Sequence, residues 1–122
     1  MPKIMLIEDD TTMVGLLKTL LGIEGYQVIT WDIGSDILQS IRDESPDVIL
    51  LDVNLKGMGG QAISGFDLLT SIRGDQELNQ VGVIMSSGMN YQEESKAAGA
   101  DGFIMKPYMP DDLLALIKTK LS

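Results

Sequence analysis

Short apolar runs alternate with helical patterns along the whole chain. Five runs predict strands, at residues 4–7, 26–30, 48–51, 83–85 and 103–105. Four of them contain no polar residue, which is typical of strands buried on both faces of a parallel sheet. The run at 26–30 mixes polar and apolar residues and predicts an edge strand.

Between the strands, apolar residues recur at helical spacing. The clearest case runs from Met13 to Leu21, with Asp10, Thr11 or Thr12 as its N-cap and Gly25 just beyond its end. Four more helices are predicted: one between Ser35 and Pro46, one at 66–74, one at 91–98, and one that begins at Pro110. A strand followed by a helix, five times over, predicts a doubly wound α/β fold with a parallel sheet.

Composition narrows the classes of function. A chain of 122 residues with 44% hydrophobic and 22% charged residues fits one folded domain. The net charge of −9 opposes direct binding to nucleic acid or to anionic membranes. Cysteine and histidine are both absent, which excludes thiolate and imidazole chemistry. No apolar run is long enough for a signal peptide or a membrane span, so we expect a cytoplasmic protein.

Acidic residues follow two of the predicted strands. Glu8 and Asp9 come directly after the first strand, and Asp52 comes directly after the third. If these strands are neighbours, the carboxylates crowd one crevice at the carboxyl edge of the sheet, where ligands bind in such folds. Oxygen-only ligands favour Mg²⁺, or Mn²⁺ in its place, over zinc. The alternative is that such acids only cap helices or face solvent, and for Asp10 capping is the favoured interpretation.

Two further polar residues end the next strands. Ser87 follows the fourth strand and Lys106 the fifth. Taken singly, each has an ordinary explanation, as a turn hydroxyl and a solvated lysine. Together with the acids they form a cluster with a cation and a donor on one side, which a transferring phosphoryl group requires.

With these residues the sequence resembles the receiver domains of two-component response regulators. The resemblance covers essentially the whole chain, 1–122, as a single receiver domain. It implies a flavodoxin-like (βα)5 fold of three layers with strand order 2-1-3-4-5. The matching motifs are Ile7–Asp10, Leu50–Leu55, Val83–Gly88 and Ala98–Tyr108.

The resemblance also implies roles for the acidic residues. Asp52 would accept a phosphoryl group from a sensor histidine kinase or a phosphotransfer protein. Asp9, Asp52 and the backbone carbonyl of Asn54 would bind Mg²⁺, and Glu8 would assist through water. Such a domain phosphorylates and dephosphorylates itself as a switch rather than turning over a substrate, so we expect no classical enzyme. A homodimer that forms on phosphorylation is compatible with this interpretation.

Other residues would transmit the signal. Lys106 would pair with the phosphoryl group, Ser87 would hydrogen-bond to it, and Phe103 would turn inward as Ser87 moves. Ser86 is the alternative for the hydroxyl role. The output surface would be formed by the fourth helix, the fifth strand and the fifth helix, and the resemblance leaves the output partner unspecified. The Lys106-Pro107 peptide would be cis, as is frequent in the family.

The chain departs from the family pattern after Asp52. Lys56 stands where proline is common, and the glycine that opens the third helix, Gly65, comes about five residues later than usual. We expect the enlarged segment 56–64, with its three glycines, to be a mobile loop. The fourth helix is predicted to be about one turn shorter than usual.

Other classes of function fit the sequence less well. A receiver-like domain that only binds partners is disfavoured because every acidic, hydroxyl and lysine position is present. A phosphohydrolase that uses an aspartyl phosphate would need an acid two residues after its nucleophile, where this chain has Asn54. Gly57, Gly59 and Ala62 match a loose dinucleotide fingerprint, but its strand and acid are missing, so we interpret the match as coincidence.

Overall fold

A five-stranded parallel sheet forms the middle layer of the structure, a computed structural model that describes residues 1–122. Its strand order is β2-β1-β3-β6-β7, so the predicted order of the five sheet strands is confirmed. β4 and β5 pair only with each other. The seven strands are β1 (Lys3–Ile7), β2 (Gln27–Thr30), β3 (Val48–Asp52), β4 (Asn54–Lys56), β5 (Ala62–Ser64), β6 (Gly82–Ser87) and β7 (Gly102–Met105).

Helices cover both faces of the sheet. Leu17 and Leu21 of one helix and Leu113 and Ile117 of another join one core layer, while the remaining helices face the other. β3 lies at the centre and is buried along its whole length. The helices are α1 (Thr11–Ile23), α2 (Ile37–Glu44), α3 (Gly65–Gly74), α4 (Gln92–Ala97) and α5 (Pro110–Leu121).

Local sequence explains where the helices begin and end. Asp10 is the cap of α1, because its side chain accepts hydrogen bonds from the amides of Thr12 and Met13. α2 ends at Ser45, which adopts a left-handed conformation immediately before Pro46. α4 is only six residues long, in agreement with the short helix predicted there. No helix has the length and apolar character that crossing a membrane requires.

The segment expected to be a mobile loop forms a β-hairpin instead. β4 and β5 pair antiparallel, and a short 3-10 turn connects them. The physical reason is apolar burial, since Leu55 is buried and Ile63 is half-buried beneath the hairpin. Gly59 and Gly60, with φ of 76° and 79°, form the reversal that other residues rarely adopt.

Candidate functional site

The carboxyl ends of β1 and β3 bring three carboxylates together. β1 and β3 are adjacent, and Ile7 pairs with Leu51, so the residue after each lies at the same edge. One oxygen from each of Glu8, Asp9 and Asp52 lies within 4.8 Å of the others. Glu8 and Asp52 are both 6% exposed. The crowding of acids that the sequence predicts is therefore present.

Lys106 reaches the same cluster from the end of β7. Its Nζ donates to Glu8 Oε2 at 2.7 Å and to Asp52 Oδ2 at 3.2 Å. Its backbone amide donates to the Ser87 carbonyl at 2.8 Å, which ties the chain after β7 to the end of β6. The Lys106-Pro107 peptide is cis. One cation thus offsets part of the repulsion between two buried carboxylates.

Burial and charge shift the acidity of this cluster. Burial, with a smaller contribution from the charge of Asp52, raises the pKa of Glu8 to about 7, against the opposing hydrogen bond from Lys106. Burial lowers the pKa of Lys106, but the hydrogen bond and charge of Glu8, followed by those of Asp52, outweigh it and leave that pKa above its ordinary value. Glu8 therefore holds a proton more readily than an ordinary glutamate does.

The hairpin turns two of its peptide groups away from its own ladder. Gly65 donates to the Val53 carbonyl and Gly57 to the Gln61 carbonyl, each at 2.7 Å. Hydrogen-bonded pairs alternate along an antiparallel ladder, so the intervening pairs at Asn54 and Lys56 are not hydrogen-bonded across it. The amide of Asn54 instead approaches Asp52 Oδ1 at 3.4 Å.

The two serines of β6 occupy different positions. Asp52 pairs with Ser86, whose buried hydroxyl has no protein partner. Ser87 is buried, and its Oγ accepts the amide of Met89 at 3.2 Å. Phe103 is half-buried in the layer that also contains Met85, and alternation along β6 puts Ser87 on that side of the sheet. Ser87, rather than Ser86, therefore shares a face with Phe103.

The donor set suits a hard divalent cation. Three carboxylates and the backbone carbonyl of Asn54, whose pair is not hydrogen-bonded across the ladder, supply oxygen atoms only, without nitrogen or sulfur ligands. Mg²⁺ prefers such ligands and usually binds through one or two carboxylates with several waters. The residues predicted for Mg²⁺ are thus chemically compatible with it.

One contact of the site was not predicted from the sequence. The backbone amide of Lys56 donates to Asp9 Oδ2 at 2.7 Å. The residue type gives no signal for this contact, because every residue except proline carries an amide hydrogen. The only hint is that a non-proline residue stands at this position.

The fold and its acidic edge define a doubly wound, flavodoxin-like α/β domain with a carboxylate-lysine pocket. The family model for the response regulator receiver domain matches residues 4–118, and the chain belongs to this family. It is thus a receiver domain of the two-component signalling type.

Comparisons with individual proteins agree. The transcriptional regulatory protein KdpE of Mycobacterium tuberculosis is 32% identical over 97% of this chain and 50% of its own length. The DNA-binding response regulator MtrA of Mycolicibacterium smegmatis is 29% identical over 98% of this chain and 50% of its own. The chain therefore spans about half the length of the curated relatives it matches.

Solved structures share the fold over nearly the whole chain. A putative response regulator from Chloroflexus aurantiacus superposes with a TM-score of 0.85 at 26% identity, covering 99% of this chain and 98% of that one. The BeF3-activated receiver domain of Klebsiella pneumoniae RstA gives 0.84 at 28% identity, covering 98% and 97%. The chemotaxis protein CheY4 of Vibrio cholerae gives 0.83 at 26% identity, covering 98% of both chains.

Proposed function

We propose that Asp52 is the phosphoacceptor of this receiver domain and takes a phosphoryl group from a sensor histidine kinase or a phosphotransfer protein. The observation that carries the proposal is the position of its carboxylate. Asp52 is buried at the end of β3, with Lys106 Nζ 3.2 Å from its Oδ2 and the carboxylates of Glu8 and Asp9 close by. Family membership supports the same assignment.

In this reaction an Asp52 oxygen forms a bond to phosphorus as the bond from phosphorus to the donor imidazole breaks. The electron pair of the broken bond goes to the imidazole nitrogen, and an acyl phosphate results. Asp9, Asp52 and the Asn54 carbonyl would bind Mg²⁺, with Glu8 assisting through water. Bound Mg²⁺ supplies positive charge against the phosphoryl oxygens. Lys106 supplies a second positive charge from the chain itself.

The new phosphoryl group would then attract the side chains of the two residues at the ends of β6 and β7, Ser87 and Lys106. Lys106, released from part of its contact with Asp52, pairs with the phosphoryl oxygens, and the Ser87 hydroxyl donates to one of them. Phe103 lies on the same face of the sheet as Ser87, and its ring turns inward when Ser87 moves toward the phosphoryl group. The changed surface is formed by α4, β7 and α5, and hydrolysis by water resets it. This is a switch and not a turnover enzyme.

Partners follow from this cycle. We propose a kinase or phosphotransfer protein as the donor and an output domain or protein that reads the α4-β7-α5 surface, with a phosphorylation-dependent homodimer as one form of output. The relatives named as transcriptional and DNA-binding regulators extend well beyond the matched region. Direct nucleic-acid contact by residues 1–122 is not part of the proposal, since their net charge is −9.

Phosphoryl incorporation tests the role of Asp52. With acetyl phosphate and Mg²⁺, we expect the wild-type chain to gain one phosphoryl group by intact mass spectrometry and Asp52→Asn to gain none. Asp10→Asn is the matched control, because asparagine also caps α1 and the variant should label like wild type. Equal labelling of wild type and Asp52→Asn would refute the proposal, as would turnover of added phosphomonoesters.

The adjacent serines test the switch. On addition of beryllofluoride with Mg²⁺, we expect the ring resonances of Phe103 to shift in wild type and in Ser86→Ala. In Ser87→Ala the ring should stay in its original environment although Asp52 still reacts, because the group that couples them is missing. The reverse pattern would assign the role to Ser86 and contradict the proposed switch.

A further inference from the structure

We propose that the backbone amide of Lys56 is a positioning group that fixes the Asp9 carboxylate for cation binding. The inference rests on the proposed function and concerns the same site. The amide donates to Asp9 Oδ2 at 2.7 Å, across 47 positions of sequence. Oδ2 accepts this bond, whereas Oδ1 of Asp9 accepts no hydrogen bond from the chain and keeps both of its lone pairs for a cation.

The register of the hairpin makes this amide available. Lys56 pairs with Ala62, and that pair lies between the hydrogen-bonded ones of the ladder. Its N–H therefore points outward from the hairpin, toward the chain that follows β1. A shift of one residue would turn the amide inward, so the register of the hairpin and the orientation of Asp9 are set together.

The hairpin is fixed at its base and at its tip. At the base, Gly65 donates to the Val53 carbonyl at 2.7 Å. At the tip, Met58 packs over Gly34 of the β2-α2 connection, so closely that a Cβ on Gly34 would lie 2.7 Å from Met58 Cε. The Lys56 amide is held between these two attachments, whereas its side chain is exposed.

The hydrogen bond to Asp9 depends on which residue occupies position 56. Where the family resemblance leads one to expect proline, no amide hydrogen exists and this bond cannot form. Here a lysine supplies the hydrogen. Outer groups that orient a metal ligand typically change metal affinity about 10–100-fold when they are removed. The hairpin insertion and the loss of proline thus act on the same carboxylate.

Mn²⁺ binding, followed by the electron paramagnetic resonance of the free ion, tests this without phosphorylation. We expect Lys56→Pro to bind Mn²⁺ about tenfold more weakly than wild type, because it lacks the amide hydrogen that reaches Asp9. The position is not hydrogen-bonded across the ladder, so the hairpin loses no ladder bond to the proline ring. Lys56→Ala is the matched control; it keeps the amide, loses the exposed side chain and should bind like wild type. Equal affinity of Lys56→Pro and wild type would overturn the inference.

Hydrogen exchange gives a second measurement, made without metal and without a proline variant. We expect the Lys56 amide to exchange slowly in wild type and to lose its protection in Asp9→Ala. The Gly57 amide, bonded to Gln61 within the hairpin, should stay protected in both and report an intact hairpin. A Lys56 amide that is unprotected in wild type would overturn the inference.

The two proposals fail in different ways. If wild type binds no Mn²⁺, the cation site of the proposed function is wrong and the role of Lys56 falls with it. If wild type binds Mn²⁺ and accepts a phosphoryl group but Lys56→Pro matches it in Mn²⁺ affinity, only the positioning role is wrong.

Discussion

At the residue scale, the charge of Glu8 depends strongly on its surroundings. It is 6% exposed, it accepts a hydrogen bond from Lys106, and burial together with Asp52 raises its pKa to about 7. In the unfolded chain the same side chain would titrate near 4.5. Between these two values the folded state holds a proton that the unfolded state releases.

This shift predicts a pH dependence of stability. A carboxyl group with a raised folded-state pKa loses stability as pH rises from about 4.5 to about 7. In urea titrations with chelator, we expect the free energy of unfolding of wild type relative to Glu8→Gln to fall between pH 5 and pH 7.5. The fall should be at most about 3 kcal/mol, since one pKa unit corresponds to about 1.4 kcal/mol. A pH-independent difference would contradict the prediction.

At the element scale, four of the five sheet strands were predictable from unbroken apolar runs, and the mixed run at 26–30 indicated the edge strand β2. The convergence of Glu8, Asp9 and Asp52 followed from topology, since parallel strands end at one edge. The hairpin was not predicted, although exposed residues flank Leu55 and Ile63 in the alternating pattern of a strand. The three glycines of that segment favour a loop over a strand. The Lys56-Asp9 contact could not be predicted, because a backbone amide has no sequence signature.

The start of α3 is packed directly against the end of β3, where Asp52 lies. A Cβ on Gly65 would overlap the Asp52 carbonyl oxygen and lie 2.9 Å from Val53 Cα. We expect Gly65→Ala to lower the free energy of unfolding by about 1–3 kcal/mol, as overpacking does, and to slow phosphorylation by displacing Asp52. Urea unfolding and acetyl phosphate labelling measure the two effects.

Gly74→Ala, at the other end of α3, is the control for this substitution. No atom lies within 4 Å of a Cβ built on Gly74. Alanine there should be neutral or should stabilise the helix by up to about 1 kcal/mol. If both variants behave alike, the close approach at Gly65 does not constrain the chain.

At the scale of the whole molecule, the two edges of the sheet differ in character. The carboxyl edge contains like charges and a half-buried lysine, whereas Arg73 joins several groups at the amino edge. Its guanidinium donates to the carbonyls of Gly99 at 2.8 Å and Val81 at 2.7 Å and pairs with Asp101 at 3.0 Å. Asp101 in turn accepts the amide of Val83, at the start of β6. The Arg73 contacts and the carboxylate cluster thus lie at opposite edges of the sheet.

This separation predicts the effect of Arg73→Met. The variant removes the donor to the Gly99 and Val81 carbonyls and one of the partners of Asp101, which keeps the Val83 amide and Lys120, so the free energy of unfolding should fall by about 1–3 kcal/mol. Mn²⁺ affinity of the folded protein should stay within about twofold of wild type, because no group at the carboxyl edge changes. Lys96→Met, at an exposed site of α4, should alter neither quantity. Loss of Mn²⁺ affinity in folded Arg73→Met would show that the edges are coupled.

The chain leaves β3 after Asp52 and enters α3 at Gly65, and one hydrogen bond joins Val53 to Gly65. The segment between them begins and ends at hydrogen-bonded neighbours. We therefore expect that its length can vary without moving β3 or α3. Residues 54–64 should therefore be exchangeable, as one segment, with the corresponding connection of another receiver domain. If this segment replaced the shorter connection of another receiver domain, it would bring with it the backbone amide that hydrogen-bonds to the acid after the first strand.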